Sequence, residues 1–444
     1  MFRSIAVVFF IALSVTSAVL AADSLSVIEA RLDNGLTVLI LQKRDLPVVS
    51  LQVWYRVGLR NERPGSTGIS HLLEHMMFKG AAAMGRQDIS QAVQKYGGHA
   101  NAFTSEDYTC YHDEIARDYL AVAVELEAQR MQGMQFDSLE FLTERDVVLE
   151  ERRLRENSPT GLLLEELDGT AYRLHPYGWP VIGFSTDLRN IALADLVQHY
   201  RTYYVPNNAT CVVVGDVASG DALELVKRHF GPIAQGTRPL PILSVVEPKQ
   251  HGERRAVLRR QAKVPVVAIG FHSTRIGDPD SYALEVLSAI LSDGESSRLY
   301  RSLVRERGIA VYAGGYNRTR IDPTLFTFYA APVLGHTTAE LEAAIYQELQ
   351  SVGRDGVSER ELQKAKNQIE SRFVVFQQQA YGLGIQLGST HSQISWRYVN
   401  SYLPNIMAVS NQDIKRVAAA YFTEDNRTVA TLVISQTVGG LEGR

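Results

Sequence analysis

The chain is short of cysteine, and its basic residues form no cluster. Cys110 and Cys211 are its only two cysteines in 444 residues, which rules out a disulfide framework. Both stand among apolar or aromatic neighbours, so buried thiols are expected, with a single bridge as the alternative. Lys and Arg number 45 against 49 Asp and Glu, for a net charge of -4, and the cations are scattered. Such a chain lacks the positive field that draws nucleic acid, and no nucleic-acid partner is expected. Beyond residue 22 no run is long and apolar enough to span a bilayer. What is present is an ordinary globular composition, 45% hydrophobic and 21% charged, at a length that suits more than one domain.

The N-terminus departs from this pattern. Arg3 precedes the apolar run "IAVVFFIALSVTSAVLAA", which ends in small residues before Asp23 and Ser24. That order reads as a secretory signal peptide over residues 1–21, cleaved after Ala21, with Val19 and Ala21 in the small-residue positions, or one residue later. The expected location is periplasmic or otherwise exported. Membrane contact is expected only if the segment stays uncleaved as an anchor.

Self-similarity organises the rest. "PVVSLQVWY" from Pro47 and "PVVAIGFHS" from Pro265 superpose at a shift of 218 residues. "DLVQHYRTYYVPNNATCVVV" from Asp195 and "DIKRVAAAYFTEDNRTVATLV" from Asp413 superpose at the same shift. Two matches at one offset predict two homologous domains, 22–235 and 251–444, joined by a Pro- and Gly-rich linker over 236–250. Period-2 apolar strands alternate with stretches of period near 3.6, which predicts an α/β or α+β layered fold in each half.

The stretch "STGISHLLEHMMFKG", Ser66 to Gly80, places His71, Glu74 and His75 in an apolar run. It reads as a helix with Ser66 or Thr67 near its start and Gly80 after its end. Histidines at i and i+4 share one helical face and can reach one ion, and Glu74 lies on that face too. Zinc accepts two such nitrogens and a third protein ligand, leaving a place for water. Glu74 would be the general base that takes a proton from that water and later returns one to the leaving amine. H-x-x-E-H is the inverted order of the zinc-protease motif. The bland alternative is a pair of satisfied core histidines. At the 218 shift His71, Glu74 and His75 fall on Ala289, Ser292 and Asp293, while Leu72 and Leu73 fall on Ile290 and Leu291. The apolar positions are kept and the polar ones are not, which favours function in the first half.

A third ligand is sought in "DSLEFLTERDVVLEERRLREN", a helix opened by Asp137 or Ser138. Helical spacing puts Glu144, Val147, Val148, Glu151 and Leu154 on one stripe and Thr143, Asp146, Glu150 and Arg153 on a polar one. Carboxylates on an apolar stripe are costly unless paired or bound to metal. Glu151 is therefore the expected third ligand and Glu144 its support; the alternatives are Glu150 as ligand and Glu144 as a plain salt-bridge partner. Two imidazoles and one carboxylate also suit manganese or cobalt.

HLLEH followed, 76 residues after its second histidine, by the glutamate of "VVLEER" resembles the pitrilysin and insulin-degrading family of zinc peptidases. The likeness is to bacterial relatives of the mitochondrial processing peptidase β subunit in particular, and runs from about Leu32 to the C-terminus. The resemblance implies that His71, His75 and Glu151 bind one zinc per chain, that Glu74 acts as base, and that Glu144 supports the site. It implies two domains, each a mostly antiparallel β-sheet with helices on one face, and halves or subunits that close around an unfolded peptide.

"YGGHANAFTSEDYTCYHD" from Tyr96 resembles the family's substrate-edge strand. Independently of the likeness, Gly97 and Gly98 permit close backbone approach, and the alternation after Asn101 reads as a strand whose edge can take up a peptide. Asn101, Ala102, Phe103 and Thr104 are the contact candidates, with an ordinary edge hairpin as the alternative; His99 and His112 are not expected to bind metal. Arg305 and Tyr312 have the seven-residue spacing of a substrate-gripping pair in complete relatives, but alignment on Gly308 puts Leu303 or Val304, and Val311, in those places. If the pair is missing, a partner must supply it, so a homodimer or a heterodimer with a related subunit is expected. The function expected is an exported zinc endopeptidase acting on extended peptides or small unfolded polypeptides. A non-catalytic scaffold subunit and a peptide-binding module of the same fold are the rival readings.

Overall fold

A computed structural model describes residues 25–80, 89–241 and 243–435. The segment read as a signal peptide lies outside them. Among the described residues no helix is long and apolar enough to cross a membrane.

Two sheets carry the two halves. The first contains β1 (Ile28–Arg31), β2 (Thr37–Gln42), β3 (Val48–Tyr55), β4 (His99–Thr104), β5 (Thr109–Ala116) and β6 (Ala209–Gly215), in the order β1-β2-β6-β3-β5-β4. The second contains β7 (Arg254–Arg260), β8 (Val266–His272), β9 (Ala310–Asn317), β10 (Leu325–Pro332) and β11 (Arg427–Ile434), in the order β7-β11-β8-β10-β9. Apart from β1 the two orders correspond strand for strand. Only β2–β6 and β7–β11 run parallel; the other pairs are antiparallel. The 218 shift carries Val48 at the start of β3 to Val266 at the start of β8, and the helix Leu193–Tyr203 to Asn411–Tyr421. No helix or strand forms over 236–250 among the described residues.

Period-2 patterning gives each sheet two apolar faces. In the first, Val38, Ile40, Leu51 and Val53 join the core under the half's own helices, while Leu39, Leu41, Trp54 and Val212 join a separate core on the other side. Each half is a mostly antiparallel sheet with its own helices on one face, as expected, and the opposite face is closed by the other half. The helix Ala380–Gln393 of the second half supplies Leu383 and Leu387 to the far face of the first sheet. The helix Pro159–Ala171 of the first half supplies Leu163 and Leu167 to the far face of the second. The halves thus exchange one covering helix each. The approach of Ala380–Gln393 is close: a Cβ on Gly384 or Gly388 would stand 2.4 Å from Gln52 Nε2 or 2.1 Å from Trp54 Nε1. Cys110 and Cys211 flank β3 on opposite faces of the sheet, and both are buried free thiols, so no bridge joins them.

Candidate metal centre

The helix Ile69–Met76, called here the histidine helix, is only eight residues long, too short to be stable by itself. Its inward side chains hold it. Leu72, Leu73 and Met76 are fully buried, each contributing about 1.5–3 kcal/mol by leaving water. The helix starts just after Ser66 and Thr67, as expected, but neither caps the first turn. Gly68 occupies the cap position with φ +85°, and a Cβ there would stand 2.3 Å from the Ile182 carbonyl oxygen. The buried Glu62 carboxylate accepts the Gly68 and Ser70 amides at 2.7 and 2.9 Å, serving the orphan N–H groups and the positive end of the helix dipole. Thr67 is tied to Asp187 instead, its hydroxyl donating at 2.8 Å. Glu62 was missed in the sequence because a cap supplied from six residues upstream has no local signature.

The second element is the helix Ser138–Glu156, the glutamate helix, capped by Asp137, which accepts the Leu139 and Glu140 amides. Phe141, Glu144, Val148 and Arg152 are its buried residues. This corrects the expected stripe, because Val147 is 47% and Leu154 61% exposed. Arg152 turns inward, where Glu156 and Glu165 bind it at 3.1 and 2.7 Å, and this rotates the packed side away from Val147 and Leu154. Glu151 lies at the edge of the packed side. Glu150 is exposed and paired with Arg153 at 2.9 Å, so Glu151 is the acid that faces the histidines.

Ligand atoms of His71, His75 and Glu151 all lie within 4.8 Å of one another, the one such group of three among the described residues. Glu151 Oε2 stands 3.8 Å from His71 Nε2 and 3.6 Å from His75 Nε2. These separations are too long for hydrogen bonds. They approach the spacing of about 3.3–3.4 Å between ligands held about 2.0–2.1 Å from a tetrahedral ion. His75 Nδ1 faces Glu144 Oε2 at 3.3 Å; donation there leaves the lone pair on Nε2, pointing at the shared locus. Glu144 also binds Lys79 at 3.0 Å through Oε1, so support of the histidine and salt bridging are one arrangement. Burial first, then the neighbouring His75 ring, holds His71 down to about 4, which keeps its imidazole neutral and able to ligate near neutral pH. Glu151 Oε1 accepts from Arg155 at 2.9 Å, an i, i+4 partner that orients the carboxylate and that motif reading passed over. The donor set and its free lone pairs fit a zinc ion.

Glu74 sits beside this group. Its Oε2 accepts the Thr104 hydroxyl at 2.6 Å, and burial raises its pKa despite that bond. Thr104 closes β4, the outermost strand of the first sheet. Asn101 on the same strand is exposed, and Ala102 and Phe103 are half-buried. The free edge of β4 therefore ends beside Glu74. Of the glycines before it, Gly98 permits close backbone approach, since a Cβ there would stand 2.9 Å from the Glu114 carbonyl oxygen, while Gly97 instead makes a left-handed turn at φ +73°. His99 and His112 face each other, 6.4 Å between ring centroids, apart from the three ligands.

Arg305 and Tyr312 are not brought to the site. Arg305 is exposed and forms no ion pair or hydrogen bond among the described residues. Tyr312, on the edge strand β9, turns towards Thr160 and the apolar cluster around Leu163.

Known proteins resemble this chain in sequence and fold over most of its length. The family pattern described as "Insulinase (Peptidase family M16)" matches residues 37–184, and "Peptidase M16 inactive domain" matches residues 190–369. The zinc protease PqqE of Helicobacter pylori is 33% identical over 90% of this chain and 91% of its own length. YmxG of Bacillus subtilis, named an uncharacterized zinc protease, is 27% identical over 88% of this chain and 95% of its own. Among solved structures, a protease from Helicobacter pylori superposes with TM-score 0.89 at 32% identity, covering 91% of this chain and 99% of that one. A Pseudomonas fluorescens peptidase M16 inactive domain shares the fold, with TM-score 0.84 at 17% identity over 94% of this chain and all of that one. A common fold and a third of the sequence shared with a bacterial zinc protease over nine-tenths of the length settle the kinship: this chain belongs to the M16 insulinase family of peptidases.

Proposed function

We propose that the chain is an exported zinc metalloendopeptidase, one zinc per chain, that hydrolyses peptide bonds in extended peptides or small unfolded polypeptides. The observation that carries the reading is the convergence of His71, His75 and Glu151 on one point, with Glu74 beside it at the end of a free strand edge. His71, His75 and Glu151 hold the metal, and Glu144 keeps His75 in the ligating tautomer. Bound there, zinc supplies Lewis acidity and makes water a competent nucleophile near neutral pH. Glu74 takes one proton from the attacking water as the new C–O bond forms; as the C–N bond breaks it returns a proton to the leaving amine nitrogen. Burial suits it to both tasks by lifting its proton affinity. The substrate backbone adds to β4 as a further strand, with Asn101, Ala102, Phe103 and Thr104 along it. Since Arg305 lies free on the second half and Tyr312 is engaged with Thr160, the gripping groups are assigned to a partner in a homodimer or a heterodimer with a related subunit.

The match of the second half to an inactive domain favours one alternative, a non-catalytic subunit of the same fold. Metal content and cleavage of a quenched fluorescent peptide library separate the two, measured on the chain from residue 22 and on Glu74→Gln. Zinc in both, with turnover falling by orders of magnitude in Glu74→Gln, is expected. Zinc with no turnover, even beside a related subunit, would leave the scaffold; absence of zinc from the wild-type chain would end the peptidase reading.

A further inference from the structure

A second set of ionisable side chains lies buried behind the histidine helix, and the reaction above makes no use of it. Glu127 and Arg130, one turn apart on the helix Leu120–Gln132, and Asp113 on β5 are all withdrawn from solvent. Arg130 Nη2 stands 3.1 Å from Glu127 Oε1. Its Nη1 donates to the Met77 carbonyl oxygen at 3.2 Å, and its guanidinium lies 4.8 and 4.5 Å from the ring centres of Phe78 and Tyr111. Met77 closes the histidine helix two positions after His75. The Asp113 and Glu127 carboxyl oxygens are buried and none of them makes a hydrogen bond. Burial and the Glu127 charge push Asp113 upward, towards its neutral form.

Stability gives no reason for such a set. Each ion taken out of water costs several kcal/mol, and apolar residues of similar volume often serve as well or better. The second half demonstrates the apolar solution. Asp113 lies opposite Leu51 in the first sheet; opposite Ile269, the repeat's equivalent of Leu51, lies Phe328. The helix Thr338–Asp355, which follows β10 as Leu120–Gln132 follows β5, buries Leu341, Ala344, Ile345, Leu349 and Val352 and no charged residue. The set therefore has no counterpart on the equivalent strand position and helix of the second half.

We propose that Arg130, paired with Glu127 beside the buried Asp113, is a positioning residue that fixes the last turn of the histidine helix through the Met77 carbonyl and so aims His75 Nε2 at the metal locus. A helix of eight residues frays at its end, where carbonyls lack partners and a cation is favourable. His75 lies in that end turn. An unbraced turn would let the ligand wander, and a ligand misplaced by about 1 Å loses much of its worth. The inference rests on the metal site proposed above.

The test is zinc affinity by competition with a calibrated chelator, set beside the thermal unfolding temperature of the zinc-free chain. The key variant is Asp113→Leu/Glu127→Leu/Arg130→Met, which imitates the apolar solution of the second half. It is expected to fold with an unfolding temperature at or above that of the wild type and to bind zinc about 10–100-fold more weakly. Arg130→Met alone, leaving Glu127 buried without its cation, should lose affinity and stability together, and Arg130→Lys should recover part of both. Wild-type affinity in the folded triple variant would overturn the proposal, and so would a triple variant unable to fold, because the fold itself would then need the charges. Failure of the metal reading would show earlier, as a wild-type chain that takes no zinc.

Discussion

The two halves build the same pair of helices and fill it differently. In the second half the counterpart of the histidine helix is Pro279–Ser292, and that of the glutamate helix is Glu359–Phe376. Setting the caps Asp137 and Ser358 level pairs Phe141 with Leu362, Glu144 with Ala365, Val148 with Ile369 and Glu151 with Arg372. Leu362, Ala365 and Ile369 are buried, so the packed side is common to both. His75 corresponds to Asp293, and Arg372 binds Asp293 at 2.7 Å. Where the first half brings two imidazoles and a carboxylate to one point, the second has a single ion pair over the buried Leu362, Ala365 and Ile369. The backbone therefore tolerates either filling, and the polar residues of the first half serve something other than the fold.

The largest expected effect comes from imposing the second filling on the first half. His75→Asp/Glu151→Arg exchanges two ligands for an ion pair of the kind seen at Asp293 and Arg372; zinc content, by elemental analysis, should fall from one per chain to none while the circular dichroism stays unchanged. Loss of the folded spectrum would show that the two halves are not interchangeable here. Glu144→Ala is milder, since it removes the partner of His75 Nδ1 and leaves the ligands. Zinc affinity should weaken about 10–100-fold, roughly 1.4–2.7 kcal/mol, with KM for peptide little changed. A change in KM alone would place Glu144 in substrate binding instead.

How far this difference could be read from sequence depended on how local each feature is. His71, Glu74 and His75 declare themselves through one helical turn. Glu151 needed only the acid-on-stripe argument, whereas Val147 and Leu154 misled because periodicity gives the spacing of a face and not its exact bearing, which Arg152 and its two glutamates decide. The 218 shift was visible because β3 and β8 keep their apolar order. The exchanged helices Pro159–Ala171 and Ala380–Gln393 were not legible, since an apolar helix face does not say which of two similar sheets it will meet. Glu127 and Arg130 left a weak sign, charges at helical spacing with Ala123, Val124 and Met131 on a buried face. Their meaning depended on Asp113 and Met77, which only the folded chain brings near.

A third contrast concerns acid. His199 is buried and meets the Ser70 hydroxyl at 3.1 Å; the repeat puts Val417, also buried, in its place. Burial holds His199 down to about 3, so the folded chain keeps it neutral where an unfolded chain gains a proton below about pH 6.5. A histidine depressed in the fold contributes stability that is whole above about 6.5 and is lost as pH falls from there towards 3. His199→Val should flatten that acid limb by up to about 1.4 kcal/mol per pH unit, read from urea midpoints at several pH values. An unchanged slope would mean that the ring is reached by water and titrates normally.

The smallest effect is expected at the ion pair that replaces the metal ligands. Arg372 is 60% and Asp293 27% exposed at the side chain, and an exposed pair gains little over its hydration and the entropy of holding two side chains still. Arg372→Ala should cost about 0.2–1 kcal/mol, less at high salt, and should leave zinc content untouched. A loss several times larger would mean that the pair carries the contact between Pro279–Ser292 and Glu359–Phe376. The second half would then have traded one structural polar device for another, and the apolar residues Leu362, Ala365 and Ile369 would not suffice to hold the two helices together. A small loss would leave that apolar contact as the common frame, on which the first half carries a metal site at little cost to the packing beneath.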